Sequence, residues 1–253
     1  MNLAIIQARY TSTRLPGKVL ADILGKPMFI RQVERVKRAN TLDKIVVATS
    51  VNPSDDQIVN ECKKYQVDYF RGSLEDVLLR FYECAALYKP SHIIRLTADC
   101  PLIDEELIDQ IVTYHELNEF DYTSNTLVPT YPDGLDVEVF TFSALSTAHF
   151  EASLPSHREH VTPFIHSQPN RFHLGSFEGA KDLSNYRWTV DQIEDLKLVV
   201  KIYEALHPIN EKFTTADILR FLGDHPDLLE YNNQYTRNEG HAKSLEQDKD
   251  SEN

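Results

Sequence analysis

Through its first hundred residues the chain alternates short apolar runs with stripes of helical period. Leu3-Ala4-Ile5-Ile6 is continuously apolar, as a parallel strand covered on both faces must be, and the polar stretch Gln7 to Lys18 follows it directly. From Pro27 the pattern turns helical, and Lys44 to Thr49 (KIVVAT) is a second run of strand length. Asn52-Pro53-Ser54 announces a helix through Val59. Leu74, Val77, Leu78, Phe81, Tyr82 and Ala85 recur at three-and-four spacing, which predicts one helical face packed on a sheet. His92 to Thr97 reads as a third strand ending in Ala98-Asp99-Cys100-Pro101, with a helix starting near Asp104. Repeated strand, loop and helix units predict an α/β fold with a mostly parallel central sheet and right-handed crossovers. Ligands of such sheets sit at the carboxyl ends of the strands, so the loops RYTSTRLPGK and TADCP share one rim.

Beyond residue 120 the rhythm changes. Asp121 to Ser124 reads as a short strand, Gly134 to Phe140 (GLDVEVF) alternates as a strand with one polar face, and Arg187 to Asp191 returns to strand character. Ile193, Leu196, Val199, Val200 and Tyr203 then trace a helix stripe. The section from about 125 to 178 is an elaboration of a domain spanning 1–237. Residues 238–253 are polar and aperiodic, which predicts a disordered tail.

Charge and cysteine content narrow the partners. With 26 basic against 39 acidic residues, the formal charge of -13 repels a nucleic-acid backbone, while a local group such as Arg9, Arg14 and Lys18 can still hold a mononucleotide's phosphates. Cys62, Cys84 and Cys100 are odd in number, widely spaced and without a CxxC pair, so neither a disulfide framework nor a zinc knuckle is indicated and a reducing cytoplasm fits. No apolar stretch reaches the ~18 residues needed to span a bilayer, and the first strand begins almost at Met1, so a soluble, unexported protein without membrane insertion is expected.

The loop Arg9 to Lys18 lacks the spacing of a Walker loop, and Gly17 is its only glycine, so it is not a dinucleotide fingerprint either. It carries three cations, the hydroxyls of Thr11, Ser12 and Thr13, and a Pro16-Gly17 turn that can curl backbone amides around an anion. A triphosphate requires that mixture; a solvated turn with ordinary surface charges is the bland reading. Asp99 stands at a strand end, where a carboxylate is poor company for phosphates unless a divalent cation lies between them. A helix-capping role is its bland reading, for which Asp104 is better placed. Asp191 precedes an apolar helix with Glu194 three residues on, which also suits a capping box.

The run AIIQARYTSTRLPGKVL resembles the signature of the CMP-sugar cytidylyltransferases, especially CMP-Kdo and acylneuraminate synthetase-like enzymes and the spore coat polysaccharide biosynthesis protein F group. The resemblance implies a single-domain three-layer α/β/α nucleotidyltransferase fold, Rossmann-like and of the nucleotide-diphospho-sugar transferase type, and a homodimer. It implies catalytic roles for Arg14, Lys18, Asp99 and Asp191, with Asp99 and Asp191 sharing Mg²⁺ and Asp195 as a structural partner. CTP would be held by Gln7, Ala8, Arg9, Ser12, Thr13 and Gly17, by Thr97 and Ala98, and by Ala48-Thr49-Ser50 and Arg71-Gly72-Ser73 on the base side. Gly72 and Ser73 also read as a turn and a helix cap. Where the family has Gly-Asp-x-Pro, this chain has Ala98 in place of the glycine, which alters how closely the backbone can approach the nucleotide.

Asp133, Asp136, Glu138, Arg158 and His160 are the candidates for the sugar. Pro132-Asp133-Gly134 is first of all a turn, while Asp136 and Glu138 alternate on one strand face and can bond hydroxyls. His157 and His160 lack a companion ligand at helical spacing, so a metal-binding histidine pair is not indicated. The expected reaction is attack of a sugar hydroxyl on the α-phosphorus of CTP with release of pyrophosphate, for surface or spore coat polysaccharide. Rival readings are a metal-dependent nucleotide-sugar glycosyltransferase and a non-catalytic nucleotide-binding regulatory module. The first is disfavoured by the lack of an Asp-x-Asp element at a strand end.

Overall fold

The computed structural model describes residues 1–235 and residue 237. β1 (Asn2–Gln7) feeds a long loop that ends in a 3-10 turn at Lys18–Leu20, after which β2 (Asp22–Ile23) and β3 (Lys26–Pro27) form a small antiparallel hairpin. α1 (Met28–Val36), β4 (Lys44–Ser50), α2 (Asp56–Lys64), β5 (Tyr69–Gly72), α3 (Val77–Tyr88), β6 (His92–Thr97) and α4 (Glu105–Leu117) continue the alternation read from the sequence. Next come β7 (Tyr122–Ser124), β8 (Glu138–Thr141), α5 (Phe142–Glu151), α6 (Pro155–His160), α7 (Pro163–His166) and β9 (Leu174–Ser176). α8 (Ile193–Leu206) and α9 (Thr215–Asp224) follow.

Seven strands form one sheet in the order β5-β4-β1-β6-β8-β7-β9. β8 runs antiparallel to both neighbours, β6 and β7, and every other pairing is parallel. The expected mostly parallel α/β fold is therefore what the chain forms. Strand alternation splits the core between two faces. Ala4, Ile6, Val47 and Ile94 pack with Val33, Ile108, Val199 and Ile218 of α1, α4, α8 and α9. Leu3, Ile5, Val46 and Ile93 pack with Leu78, Phe81, Leu145 and Ile165 of α3, α5 and α7. The four apolar residues of β1 are fully buried, and Leu3, Ile5 and Ile6 are each worth about 1.5–3 kcal/mol on that account.

Several local expectations are corrected. α3 begins at Val77 rather than at Leu74, because the Asp76 carboxylate caps it by accepting the Leu79 N–H at 2.8 Å. Ser73 is not that cap; its Oγ accepts the Asp76 N–H. Arg187 to Asp191 is not a strand and pairs only through an isolated bridge between Asp133 and Arg187. Asp136 precedes β8 instead of lying on it. Asp191 is not a cap either: Gln192 caps α8, in a capping box completed by Asp195 and not by Glu194. Asp104 caps α4 as expected, accepting from Glu106 and Leu107. The three cysteines are buried and unpaired, and among the described residues no helix is long and apolar enough to cross a membrane. The expected tail at 238–253 lies outside the described residues.

Candidate active site

The loop after β1 is closed by its own backbone. Gly17 donates to the Tyr10 carbonyl at 2.9 Å, and its φ of 72° lies in the left-handed region that glycine adopts without strain. The start of the loop is tied down by Asp55, whose carboxylate accepts the Tyr10 N–H at 2.7 Å and the Ser50 N–H at 3.0 Å. So anchored, the loop delivers Lys18 to the rim at the point where two other segments arrive.

Those segments carry Asp99, just past β6, and Asp191, just before α8. The Lys18 Nζ donates to Asp99 Oδ2 at 2.9 Å, to Asp191 Oδ1 at 2.8 Å and to the Val190 carbonyl at 2.8 Å. All three donor positions of the ammonium are used. Burial alone would lower its pKa, but the Asp99 and Asp191 carboxylates outweigh that and hold it above the ordinary lysine value. Burial likewise works against the Asp99 carboxylate, and the Lys18 charge with a Thr97 hydrogen bond brings it below the ordinary range. Arg14 Nη2 adds a second cation 2.7 Å from Asp191 Oδ1.

A further arginine holds the Asp191 segment from behind. Arg187 spans Asp133 (2.9 Å), Asp191 (3.1 Å) and the fully buried Asp195 (3.0 Å), and the last of these also accepts the backbone N–H groups of Asp191 and Gln192. Burial costs this guanidinium some of its basicity, and the three carboxylates more than restore it. Gly134 makes the turn possible. Its φ is 105°, and a Cβ there would lie 2.4 Å from the Thr189 nitrogen.

Beside this junction opens a cavity of about 430 Å³. Its wall brings together the predicted Gln7, Ala8, Arg9, Ser12, Thr13, Arg14, Lys18, Thr97, Ala98, Asp99, His160 and Asp191. The other candidates do not reach it. Gly17 closes the loop from behind. Ala48 and Thr49 are wholly buried, and Ser50 bonds Asp55. Arg71 donates to the Ser50 and Asn52 carbonyls at 2.8 and 3.0 Å, and Gly72 lies against the Arg80 side chain. Asp133 is taken by Arg187, Asp136 by Arg237 at 2.5 Å, and Arg158 by Asp76 at 2.5 Å. Glu138 is buried in hydrogen bonds to Arg95, Tyr122 and Thr162. Sequence reasoning missed Arg80, which lines the cavity from α3 with its Nε lacking any partner and its pKa lowered by burial to about 10. The available signal was its place in the buried stripe, three residues after Val77 and four before Cys84.

The donor set suits a magnesium ion. Two carboxylates converge on the Lys18 ammonium, so an ion held by both would take the place of Nζ, and Mg²⁺ takes one or two carboxylates with phosphate oxygens and water for the rest. Among the described residues no third His, Cys, Asp or Glu joins them.

The chain matches the family model for cytidylyltransferases over residues 3–248. It is 33% identical to the spore coat polysaccharide biosynthesis protein SpsF of Bacillus subtilis over 232 residues, covering 89% of this chain and 95% of that protein. An uncharacterized protein of Methanocaldococcus jannaschii is 39% identical over 232 residues, 91% of this chain and 93% of its own length. The solved structure of a cytidylyltransferase from Leptospira borgpetersenii superimposes with a TM-score of 0.87 at 30% identity, covering 93% of this chain and 99% of that one. On the family model, on two relatives matched over most of their length and on a solved cytidylyltransferase of the same fold, the chain belongs to the cytidylyltransferase family.

Proposed function

We propose that this protein transfers CMP from CTP to an acidic sugar, releasing pyrophosphate, in the making of a surface or spore coat polysaccharide. The observation that carries the reading is the Lys18 ammonium fixed between Asp99 and Asp191 at the mouth of the cavity, with Arg14 beside it. Cations arranged before the substrate arrives stabilise the charge that builds on a departing pyrophosphate without reorganisation. Arg14 meets the β- and γ-phosphates and Lys18 joins it by giving up its bonds to Asp99 and Asp191, Arg9 and the hydroxyls of Ser12 and Thr13 line their path, and Thr97 and Ala98 face the α-phosphate. Asp99 and Asp191 would hold a Mg²⁺ ion, which supplies Lewis-acid polarisation of the phosphoryl oxygens when bound. The sugar hydroxyl oxygen forms a bond to the α-phosphorus, the bond from that phosphorus to the bridging oxygen breaks, and the hydroxyl proton leaves to solvent. No protein nucleophile is required, so positioning and charge account for the catalysis.

The name of the Bacillus subtilis relative supports the polysaccharide context, and relatives named 3-deoxy-manno-octulosonate cytidylyltransferase support CTP and an acidic acceptor. The test is pyrophosphate release from each of the four nucleoside triphosphates with acidic and neutral sugars in the presence of Mg²⁺. Release from CTP with an acidic sugar is expected. Release only from another triphosphate, or only with neutral sugars, would sink the reading.

A further inference from the structure

A row of polar side chains runs under the cavity on the α3 face of the sheet. Gln7 ends β1, its register partner is Thr97 at the end of β6, and both line the cavity. Arg95 donates its Nε to Gln7 Oε1 at 3.1 Å. A guanidinium carries donors only, so the carboxamide oxygen has to face it and the Nε2 amino group is turned the other way. That amino group makes no hydrogen bond with any described residue.

Arg95 is itself fixed. Its Nη1 donates to Glu138 Oε2, and its guanidinium carbon lies 6.0 Å from the centre of the Phe81 ring. Glu138 stands opposite Arg95 in the β6–β8 register and is only 9% exposed. Its other oxygen accepts from the Tyr122 hydroxyl at 2.7 Å and from Thr162 Oγ1 at 2.5 Å. The row from Tyr122 and Thr162 through Glu138 and Arg95 ends at the half-buried Gln7, whose amino group is turned from Arg95.

We propose that Gln7, expected from the family resemblance to hold CTP, instead binds the sugar acceptor by donating from this amino group to its carboxylate, and that Arg95 and Glu138 are positioning residues acting through Gln7. The inference rests on the acidic-sugar reading above. At its Gln7 end the row presents a donor, since the Gln7 oxygen faces Arg95 and both oxygens of Glu138 already accept from Arg95, Tyr122 and Thr162, and a carboxylate is the acceptor that such a donor meets. Arg80 adds positive charge on the same wall, and the acid there, Glu159, faces Arg9 at 4.0 Å. The triphosphate has its own cations in Arg14 and Lys18, on the loop beyond.

The experiment uses whichever acid the wild-type protein consumes in a pyrophosphate-release panel of 3-deoxy-manno-octulosonate, N-acetylneuraminate and glucuronate. Gln7→Leu and Glu138→Gln should each raise KM for that acid about ten-fold, the scale of one lost hydrogen bond to a charged group. KM for CTP should stay within about two-fold, and the double variant should be no worse than Gln7→Leu alone, because the two act as one unit. A merely structural role would raise both KM values together or give additive losses, and either result overturns the inference. Should Glu138→Gln fail to fold, Gln7→Leu decides. An unchanged KM for the acid in Gln7→Leu overturns the inference and leaves the acidic-sugar reading standing; no release with any acid in the wild type overturns both.

Discussion

The Val190 N–H donates to the Asp99 carbonyl at 2.8 Å, so the two segments that carry the site's acids are joined through their backbones at, or one residue from, each acid. The spacing of the carboxylates is thereby set by main chain, and Lys18 enters a gap that already exists. Replacing Lys18 by Met removes the buried ammonium and leaves the half-buried Asp99 and Asp191 carboxylates without it. Turnover should drop about 10³-fold, as when a charge-stabilising group is lost, and unfolding free energy should fall by about 3 kcal/mol. Pyrophosphate release and urea titration read the two effects separately; near-normal turnover would show that the loop is not the triphosphate site.

The same arrangement separates activity from stability in the response to metal removal. Lys18 and Arg14 together already balance the two carboxylates, so the fold has no need of a divalent ion. Chelation with EDTA should abolish pyrophosphate release and leave the thermal midpoint where it was, with activity returning on addition of Mg²⁺. Asp99→Asn should lose that response to added Mg²⁺. Full turnover in EDTA would contradict the assignment of the two acids.

Gly134→Ala tests how the Asp191 segment is held. A Cβ at 2.4 Å from the Thr189 nitrogen and 2.6 Å from the Trp188 carbonyl carbon has nowhere to go, and φ of 105° is itself unfavourable for alanine. The turn must then part from residues 187–191, at a cost above about 2 kcal/mol. Activity should fall further than stability accounts for, since Asp191 moves with that segment. Wild-type kinetics with a wild-type midpoint would show the contact to be slack.

His115 makes stability depend on pH. It is buried, with Nδ1 2.9 Å from Thr123 Oγ1 and Nε2 without a partner, and burial together with His92 depresses its pKa from 6.5 to about 3. Between those values the unfolded chain binds a proton that the folded chain refuses. The contribution is therefore complete above 6.5 and is lost as pH falls through the interval, by about 2 kcal/mol between about pH 7 and pH 5. Urea unfolding at the two pH values measures it, and His115→Phe should flatten the difference. An equal slope in that variant would place the effect elsewhere.

β1, β4, β6 and the loop after β1 were legible in the sequence because each depends on local period or on a compact motif, β2, β3 and β5 were too short to show one, and the pairing of Asp99 with Asp191 was implied by the family resemblance. What was not legible depends on partners distant along the chain. Arg187 looked like part of a strand because its neighbours Trp188 and Val190 are apolar, yet it bonds Asp133, 54 residues earlier. Asp136 and Glu138 alternate as a half-exposed strand would, but Arg237 and Arg95 claim them, and no period announces an arginine's choice of acid. Asp191 looked like a cap because the cap and the capping acid lie one and four residues beyond it, within the usual uncertainty of a helix boundary.

The reversal of β8 changes which side of a strand feeds the rim. Six strands of the sheet offer the rim whatever follows their last residue, while β8 offers what precedes its first. The stretch from Asn125 to Val137 therefore crosses the ligand side before it is committed to the sheet, and its length can change without altering any strand pairing. That inbound stretch lines none of the cavity and reaches the site from behind, where Asp133 bonds the same Arg187 that holds Asp191, so changes in it would act on the rim by way of that arginine.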